Sequence, residues 1–102
     1  MYRVRVEEPA ENDFQRITTY IAEMLDATVA ALSFMDDVAA CYERLQKNPY
    51  LYEQCRDPRL QSEGYRRAVI GNYILVYKVL EEKKEVEIHR FFYGPRNYTE
   101  LI

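Results

Sequence analysis

Hydrophobic and polar residues alternate at the beginning of the chain, in the segment YRVRVE at residues 2–7. Tyr2, Val4 and Val6 fall on one face of an extended backbone, which predicts a short, half-buried strand. Pro9 ends this strand. It also suits the first turn of a helix, because proline has no N–H group to leave unpaired there.

The apolar spacing becomes helical in the next two segments, residues 10–25 and 29–46. The predicted apolar stripe of the first segment is Phe14, Ile17, Ile21, Met24 and Leu25. That of the second segment is Leu32, Met35, Val38, Ala39, Tyr42 and Leu45. Because only a short link separates the two segments, they predict an antiparallel helical hairpin whose stripes face a core.

Residues 49–64 show no regular spacing, and their prolines and glycine predict a long loop. Three strand patterns follow at residues 65–70, 73–80 and 85–93, separated by short turns. Short turns join antiparallel neighbours, so these strands predict a meander to which the N-terminal strand is added. The sequence therefore predicts a single α+β domain over residues 1–102, with the order β-α-α-β-β-β, an antiparallel sheet and a helical hairpin packed on one face.

Charge is distributed unevenly along the chain, although the net charge is only −3 in 102 residues. Residues 1–55 carry five Lys and Arg against ten Asp and Glu, and residues 56–102 carry nine against seven. A protein that binds nucleic acid without sequence preference usually has a strong positive field. A nucleic-acid function would therefore depend on a local patch in the second half.

The available residue types disfavour several kinds of site. His89 is the only histidine, and Cys41 and Cys55 are the only cysteines, so we expect neither a metal nor another cofactor. No apolar run approaches the ~20 residues of a membrane span, and the N-terminus lacks the layout of a signal peptide. These features predict a cytoplasmic protein that does not bind a membrane.

The second half concentrates arginine on the predicted meander. Arg66 and Arg67 are adjacent in a strand and point to opposite faces, so we expect at least one of them to be free for a ligand. In the last strand, strict alternation places four residues on one face: Val86, Ile88, Arg90 and Phe92. Arg90 then either pairs with a carboxylate, because a lone buried charge is costly, or contacts a polyanion at the rim of the sheet.

The exit of the last strand adds further candidates. Arg96 follows a Gly-Pro step, where it either recognises a phosphate or forms a surface ion pair. Tyr93 and Tyr98 either stack on bases and donate a hydroxyl, or simply pack. His89 has an ordinary pKa near neutrality, although a lone histidine in a strand is more often structural. None of these residues specifies a reaction by itself.

Two motifs between residues 64 and 97 are more specific than any single residue. GYRRAVIGNYILVYKV contains a Gly-x-Arg-Arg step followed by Asn-Tyr-x-x-x-Tyr. EIHRFFYGPRN, at residues 87–97, covers most of the last predicted strand and its exit. A further aromatic segment, NPYLYE at residues 48–53, follows the second predicted helix. Together with the element order, these motifs resemble the RelE/ParE superfamily of type II toxin–antitoxin toxins. The residues that match the family's closing strand are Ile88, Arg90, Tyr93, Gly94 and Arg96.

The resemblance implies a toxin of the plasmid stabilisation type with a RelE/ParE-like fold. A cognate antitoxin would wrap the helical hairpin and the sheet groove, and the assembly would be a homodimer or a hetero-oligomer with the antitoxin. RelE-like members cut mRNA in the ribosome without a metal, using arginines against phosphate charge and a tyrosine for proton transfer. The candidate catalytic residues implied for this chain are Arg67, Arg96, Tyr93 and Tyr98. The implied substrate-binding residues are Arg66 and Arg90.

ParE-like members of the superfamily instead inhibit DNA gyrase without known catalysis, and this chain departs from the RelE pattern. Ile74 occupies a position that often carries a catalytic arginine, Tyr93 replaces a frequent histidine, and residues 48–77 contain no lysine. Three hypotheses follow. The first, which the sequence favours over the other two, is growth inhibition as a metal-independent, ribosome-dependent endoribonuclease. The second is a gyrase inhibitor without catalysis, and the third is a degenerate toxin that only binds its antitoxin.

Overall fold

Within residues 1–94 the protein forms a four-stranded sheet, and a helical hairpin covers one of its faces. The strands lie side by side in the order Arg3–Val6, Glu85–Tyr93, Tyr73–Leu80 and Tyr65–Ile70. The computed structural model of the chain describes residues 1–94. Its main elements are β1 Arg3–Val6, α1 Glu8–Thr19, α2 Thr28–Lys47, α3 Pro58–Ser62, β2 Tyr65–Ile70, β3 Tyr73–Leu80 and β4 Glu85–Tyr93. A π-helical turn, Tyr20–Met24, extends α1, and a 3-10 turn, Glu81–Lys83, joins β3 to β4. The predicted α+β fold is confirmed.

Strands β2, β3 and β4 form the predicted antiparallel meander. The turn between β2 and β3 contains Gly71 at a φ of 58°, a backbone conformation that glycine adopts without steric cost. Strand β1 pairs with β4 in the parallel direction, with Arg3 opposite Glu85. The sheet is therefore mixed, a detail that the alternation of residues in β1 does not encode.

The main core lies between the helical hairpin and the sheet. Tyr77 in the central strand β3 is fully buried, and its hydroxyl donates to the carbonyl of Pro49 at 2.7 Å. Phe34 of α2 packs on the rings of Tyr73 and Phe91, with centroid distances of 5.3 and 6.4 Å. Fully burying a side chain of this size stabilises the fold by roughly 1.5–3 kcal/mol.

The predicted apolar stripes of the two helices are wrong at several positions. The core-facing stripe of α2 is Ala31, Phe34, Val38, Cys41 and Leu45. Five residues of the predicted stripes are instead exposed: Met24, Leu25, Leu32, Met35 and Ala39. The first half of α2 carries apolar residues on all sides, so their spacing allows either of two neighbouring faces to be the buried one. Packing against the sheet decides between them and buries Phe34 rather than Met35.

A β-bulge overturns the predicted alternation of β4. Ile88 and Arg90 pair with consecutive residues of β3, so His89 is an extra residue in this strand. As a result Phe91, rather than Phe92, joins the helix-facing core. The prediction that a single face of this strand carries Val86, Ile88, Arg90 and Phe92 is therefore wrong.

The segment predicted as a long loop contains the short helix α3. Asp57 caps this helix, because its carboxylate accepts from the backbone N–H groups of Arg59 at 2.9 Å and Leu60 at 3.1 Å. Leu60 and Cys55 are fully buried in a second core cluster on the sheet face opposite the hairpin. The loop prediction is wrong over Pro58–Ser62, since five residues are too few to show a helical period.

Candidate functional site

Arg67, a predicted catalytic residue, lies on the sheet face that points away from the helical hairpin. Its cross-strand partner is Val76, which belongs to the second core cluster. Nη1 of Arg67 lies 3.6 Å from Oε1 of Glu53, and the Arg67 backbone N–H donates to the Glu53 carbonyl at 3.1 Å. Within residues 1–94, the buried Nε of Arg67 has no hydrogen-bond partner. Arg67 is thus a mostly buried cation with one unused donor.

A cleft of about 310 Å³ adjoins Arg67 at the turn between β2 and β3. We call it the arginine cleft, and its lining consists of Arg67, Val69, Gly71, Asn72, Tyr73, Ile74 and Gly94. The backbone N–H of Gly94 donates to the carbonyl of Asn72 at 2.7 Å, which ties the exit of β4 to this turn. Ile74 is buried, so the wall next to Arg67 is apolar.

Tyr93, another predicted catalytic residue, lies on the opposite face from Arg67. It pairs with Tyr73, whose ring packs against the hairpin-side core, and the two tyrosine rings are 5.6 Å apart. Arg67 and Tyr93 are therefore separated by the sheet rather than brought together. The remaining two predicted catalytic residues, Arg96 and Tyr98, lie outside the described residues.

Arg66, a predicted substrate-binding residue, is held by its neighbours. Its Nη1 donates to the carbonyl of Tyr52 at 2.8 Å, and its guanidinium carbon lies 5.0 Å from the centre of the Tyr50 ring. Tyr50 in turn donates its hydroxyl to the carboxylate of Glu81. Arg66 therefore packs between the segment after α2 and the sheet, with a cation–π contact in addition to its hydrogen bond.

Arg90, the second predicted substrate-binding residue, forms a partly buried ion pair with Asp13 of α1. Its Nε and Nη2 lie 2.6 and 3.1 Å from the two carboxylate oxygens. The same carboxylate accepts from the backbone N–H of Phe91 at 3.0 Å and from Nη2 of Arg16 at 2.5 Å. One buried carboxylate thus joins α1 to the bulged part of β4 and is shared by two guanidinium groups.

The electrostatic balance at Asp13 favours its charged form. Burial alone would raise the pKa of Asp13, but hydrogen bonds from Arg90, Phe91 and Arg16 outweigh burial and hold that pKa below its usual value. Sequence reasoning missed Asp13, although a signal was present. It lies between Ala10 and Ile17 on the apolar side of α1, where an acidic residue needs a cation.

A second cleft, of about 550 Å³, lies between the end of α1 and the ends of β3 and β4. We call it the aromatic cleft, and its lining consists of Arg16, Ile17, Tyr20, Leu25, Asn72, Tyr73 and Tyr93. The π-helical turn contributes Tyr20, whose carbonyl accepts from the N–H of Leu25 at 3.2 Å. Burial raises the pKa of Tyr73, so its phenol is neutral at physiological pH. Of this lining, sequence reasoning had selected only Tyr93 as functional.

The outer surface of the helical hairpin carries exposed apolar side chains. We call this surface the hairpin patch, and it consists of Met24, Leu25, Val29, Leu32 and Met35, each between 41% and 82% exposed. Exposed apolar side chains that group on one surface are typical of sites that bind a partner. All residues of this patch except Val29 belong to the predicted stripes and were expected to face the core.

The described residues offer no evident metal site. No group of three His, Cys, Asp or Glu side chains in residues 1–94 is arranged to hold a metal ion. His89 packs at 5.1 Å from the ring of Tyr65, and burial lowers its pKa. In the same residues, no helix is both long and apolar enough to cross a lipid bilayer.

Comparison with known proteins adds the family. The model of the family described as the ParE toxin of the type II toxin–antitoxin system parDE matches residues 4–98. A chain of the chromosomal ParDE toxin–antitoxin system from P. aeruginosa is similar in structure, with a TM-score of 0.68 and 19% sequence identity over 89% of this chain and 94% of that chain. A chain of the toxin–antitoxin complex RelBE2 from Mycobacterium tuberculosis has a TM-score of 0.60 and 22% identity, over 90% and 96% of the two chains. No curated protein matches the sequence.

Proposed function

Because this chain belongs to the ParE family of toxins from type II toxin–antitoxin systems, we propose that it inhibits growth in the cytoplasm by binding a protein target, DNA gyrase, without cutting RNA. One observation carries the choice between binding and cleavage. Arg67 and Tyr93, the two candidate catalytic residues within residues 1–94, lie on opposite faces of the sheet. General acid–base chemistry requires both groups within hydrogen-bond reach of one reacting phosphate.

Charge supports the same choice. The chain carries a net charge of −3. An enzyme that cuts mRNA inside the ribosome is surrounded by negatively charged RNA, so a positive surface would strengthen its binding there. Two of the candidate cations are already engaged by carboxylates, Arg90 by Asp13 and Arg67 by Glu53. Ile74 is buried beside Arg67, at the position where RelE-like relatives often carry a further arginine.

The test uses purified toxin in two assays. We expect it to inhibit supercoiling by purified DNA gyrase, and we expect mRNA ends mapped after toxin induction to match those of uninduced cells. Tyr93→Phe removes only the hydroxyl of a candidate catalytic residue and should leave growth arrest unchanged, as should the matched variant Tyr20→Phe. Unaffected supercoiling at high toxin excess, together with new mRNA ends that disappear in Tyr93→Phe, would refute the proposal.

A specific observation favours mRNA cleavage as the second candidate function. The buried Nε of Arg67 lacks a partner among the described residues and borders the arginine cleft, so a phosphate bound there would satisfy it. Under this function, Arg67→Gln abolishes new mRNA ends in an induced culture. Arg56→Gln is the matched control, because Arg56 is exposed and lies 3.5 Å from the same Glu53 carboxylate.

The partner that controls the toxin is a cognate antitoxin, and the hairpin patch is the surface that it covers. Covering exposed apolar side chains gives a favourable free energy of roughly 25 cal/mol per Å². Leu32→Asp places a charge in this patch and should weaken the complex with the antitoxin encoded beside the gene, as measured by calorimetry. Ala30→Asp adds the same charge on another side of α2 and should not, and equal weakening by both variants would contradict this assignment. A chain whose induction causes no growth defect would instead be the degenerate toxin of the third hypothesis.

A further inference from the structure

The aromatic cleft combines apolar walls with a positively charged rim. Arg16, at the rim, has a side chain that is 67% exposed, and Arg90 lines the adjoining part of the groove with 31% exposure. Both guanidinium groups share the single carboxylate of Asp13. Among the described residues no acidic side chain lines the cleft or its adjoining groove. One positive charge is therefore in excess at this site.

The walls of the aromatic cleft leave large apolar groups in contact with water. Tyr20 is 48% exposed, Leu25 54% and Tyr93 46%, although each has apolar neighbours on one side. Tyrosine rings offer a flat face for stacking and a hydroxyl for hydrogen bonding. The floor is formed by Ile17 and the half-buried ring of Tyr73. A ligand with a large apolar group and a neighbouring anionic group matches both the walls and the rim.

Nucleic acids and acidic peptides both present a large apolar group beside an anionic group, and the charge of the cleft distinguishes between them. A nucleic acid presents a phosphate at every nucleotide and is bound by several cations. Counted over residues 1–94, the cleft has a surplus of one positive charge, and the whole chain carries a net charge of −3. A peptide presents an aromatic or aliphatic side chain next to a single carboxylate, and that one negative charge matches the one surplus positive charge of two arginines that share Asp13.

We infer that the aromatic cleft is a docking site for an acidic peptide segment of a partner protein, with a large apolar side chain between Tyr20, Tyr73 and Tyr93 and a carboxylate on Arg16. This inference depends on the proposed function only in taking the partner to be a protein. In this inference the ring of Tyr93 lines a peptide-binding site, and its hydroxyl has no catalytic role. The gyrase assay and the peptide-binding assay are separate measurements, so either can fail without the other.

The test titrates the full-length, isotope-labelled protein with two small probes in NMR experiments. N-acetylphenylalanine has a free carboxylate, and its carboxamide has the same ring without the charge. Both should shift the backbone amide signals of Tyr20, Asn72 and Tyr73, and the carboxylate should bind roughly threefold more tightly, as expected for one partly exposed ion pair. Equal affinity of the two probes, or amide shifts confined to other surfaces, would overturn the inference.

Matched variants separate the rim from the walls. Arg16→Gln should abolish the preference for the carboxylate while leaving binding of the carboxamide intact, and Arg56→Gln should preserve the preference. Tyr93→Ala should weaken both probes, whereas Tyr50→Ala, which removes a ring of similar exposure elsewhere, should weaken neither. If Tyr93→Ala fails to fold, Tyr20→Ala supplies the same test. Uridine 5′-monophosphate that binds this cleft more tightly than the carboxylate probe would make it a nucleotide site and refute the peptide assignment.

Discussion

The ion pair between Asp13 and Arg90 makes a quantitative prediction about stability. Replacing Asp13 by alanine leaves the Arg90 guanidinium and the Phe91 N–H without their shared acceptor. Phe91 is buried, so its unpaired N–H costs roughly 1–3 kcal/mol. Arg90 is about one-third exposed, so water partly replaces its partner, and its contribution is discounted to about 1–2 kcal/mol. Arg16 is mostly exposed and adds only about 0.3–0.5 kcal/mol.

The sum is a loss of roughly 2–5 kcal/mol in the free energy of unfolding of Asp13→Ala, measured by urea titration at neutral pH. Asp13→Asn keeps an oxygen for the Phe91 N–H and loses only the charge, so we expect roughly half of that loss. Asp36→Asn, at an exposed position on α2, is the control and should change the free energy by less than about 0.5 kcal/mol.

The dependence of this difference on pH follows from the pKa of Asp13. That pKa is lower in the folded chain than in the unfolded chain, so the stabilisation is complete above the unfolded value of about 3.9 and is lost as pH falls through the folded value. The gap between the wild-type protein and Asp13→Ala should therefore stay constant from pH 7 to about 5 and shrink only in more acidic solution. A loss below about 1 kcal/mol at neutral pH would refute this account of the cluster.

Three other predictions concern the core, the sheet and the thiols. Phe34→Ala should lower the free energy of unfolding by about 3–5 kcal/mol and Met35→Ala by less than about 1 kcal/mol, because only Phe34 faces the sheet. Similar losses for the two variants in urea titrations would contradict the burial of the Phe34 face of α2. Glu85 bridges Arg3 and Arg5, whose hydrogen bonds lower its pKa to about 2, so Glu85→Gln should melt below the wild type at pH 7. That gap should close as pH falls from about 4.5 towards 2, and a gap that persists at the lower pH would exclude the charge of Glu85 as its cause. The thiols of Cys41 and Cys55 are buried and are not joined in a disulfide, so a thiol reagent should label neither in the folded protein and both in denaturant. Rapid labelling of the folded chain would show that the core clusters open.

Much of the architecture was predictable because its signals are local. Alternation located β1, the Gly71 turn located the hairpin between β2 and β3, and Pro9 located the start of α1. What failed depends on contacts between distant segments. The choice between Phe34 and Met35 is made by the sheet, and the bulge at His89 is a mismatch between two strands that neither strand carries alone.

The candidate site was predictable in its residue types more than in its geometry. Arginine and tyrosine do collect around the end of the meander, as the sequence indicated. The partners of those residues come from elsewhere in the chain, however. Asp13 reaches Arg90 across 77 positions, and the π-helical turn that presents Tyr20 depends on how α1 meets α2. A family motif gives only the residues of one strand. It does not show which of its arginines, such as Arg90, form an ion pair with a carboxylate on a helix.

The parallel pairing of β1 with β4 has a consequence for how the chain is made. Val6 ends β1 and Glu85 begins β4, so the first strand of the protein has no neighbour until about 80 further residues have been synthesised, on the order of 4–16 s of translation. The sheet therefore closes only after β4 has been synthesised. Contacts between such distant segments also slow folding, since closing a long loop precedes the gain from pairing. During this interval the residues of α1 that pack on β4 lack that partner and remain open to contact with another chain.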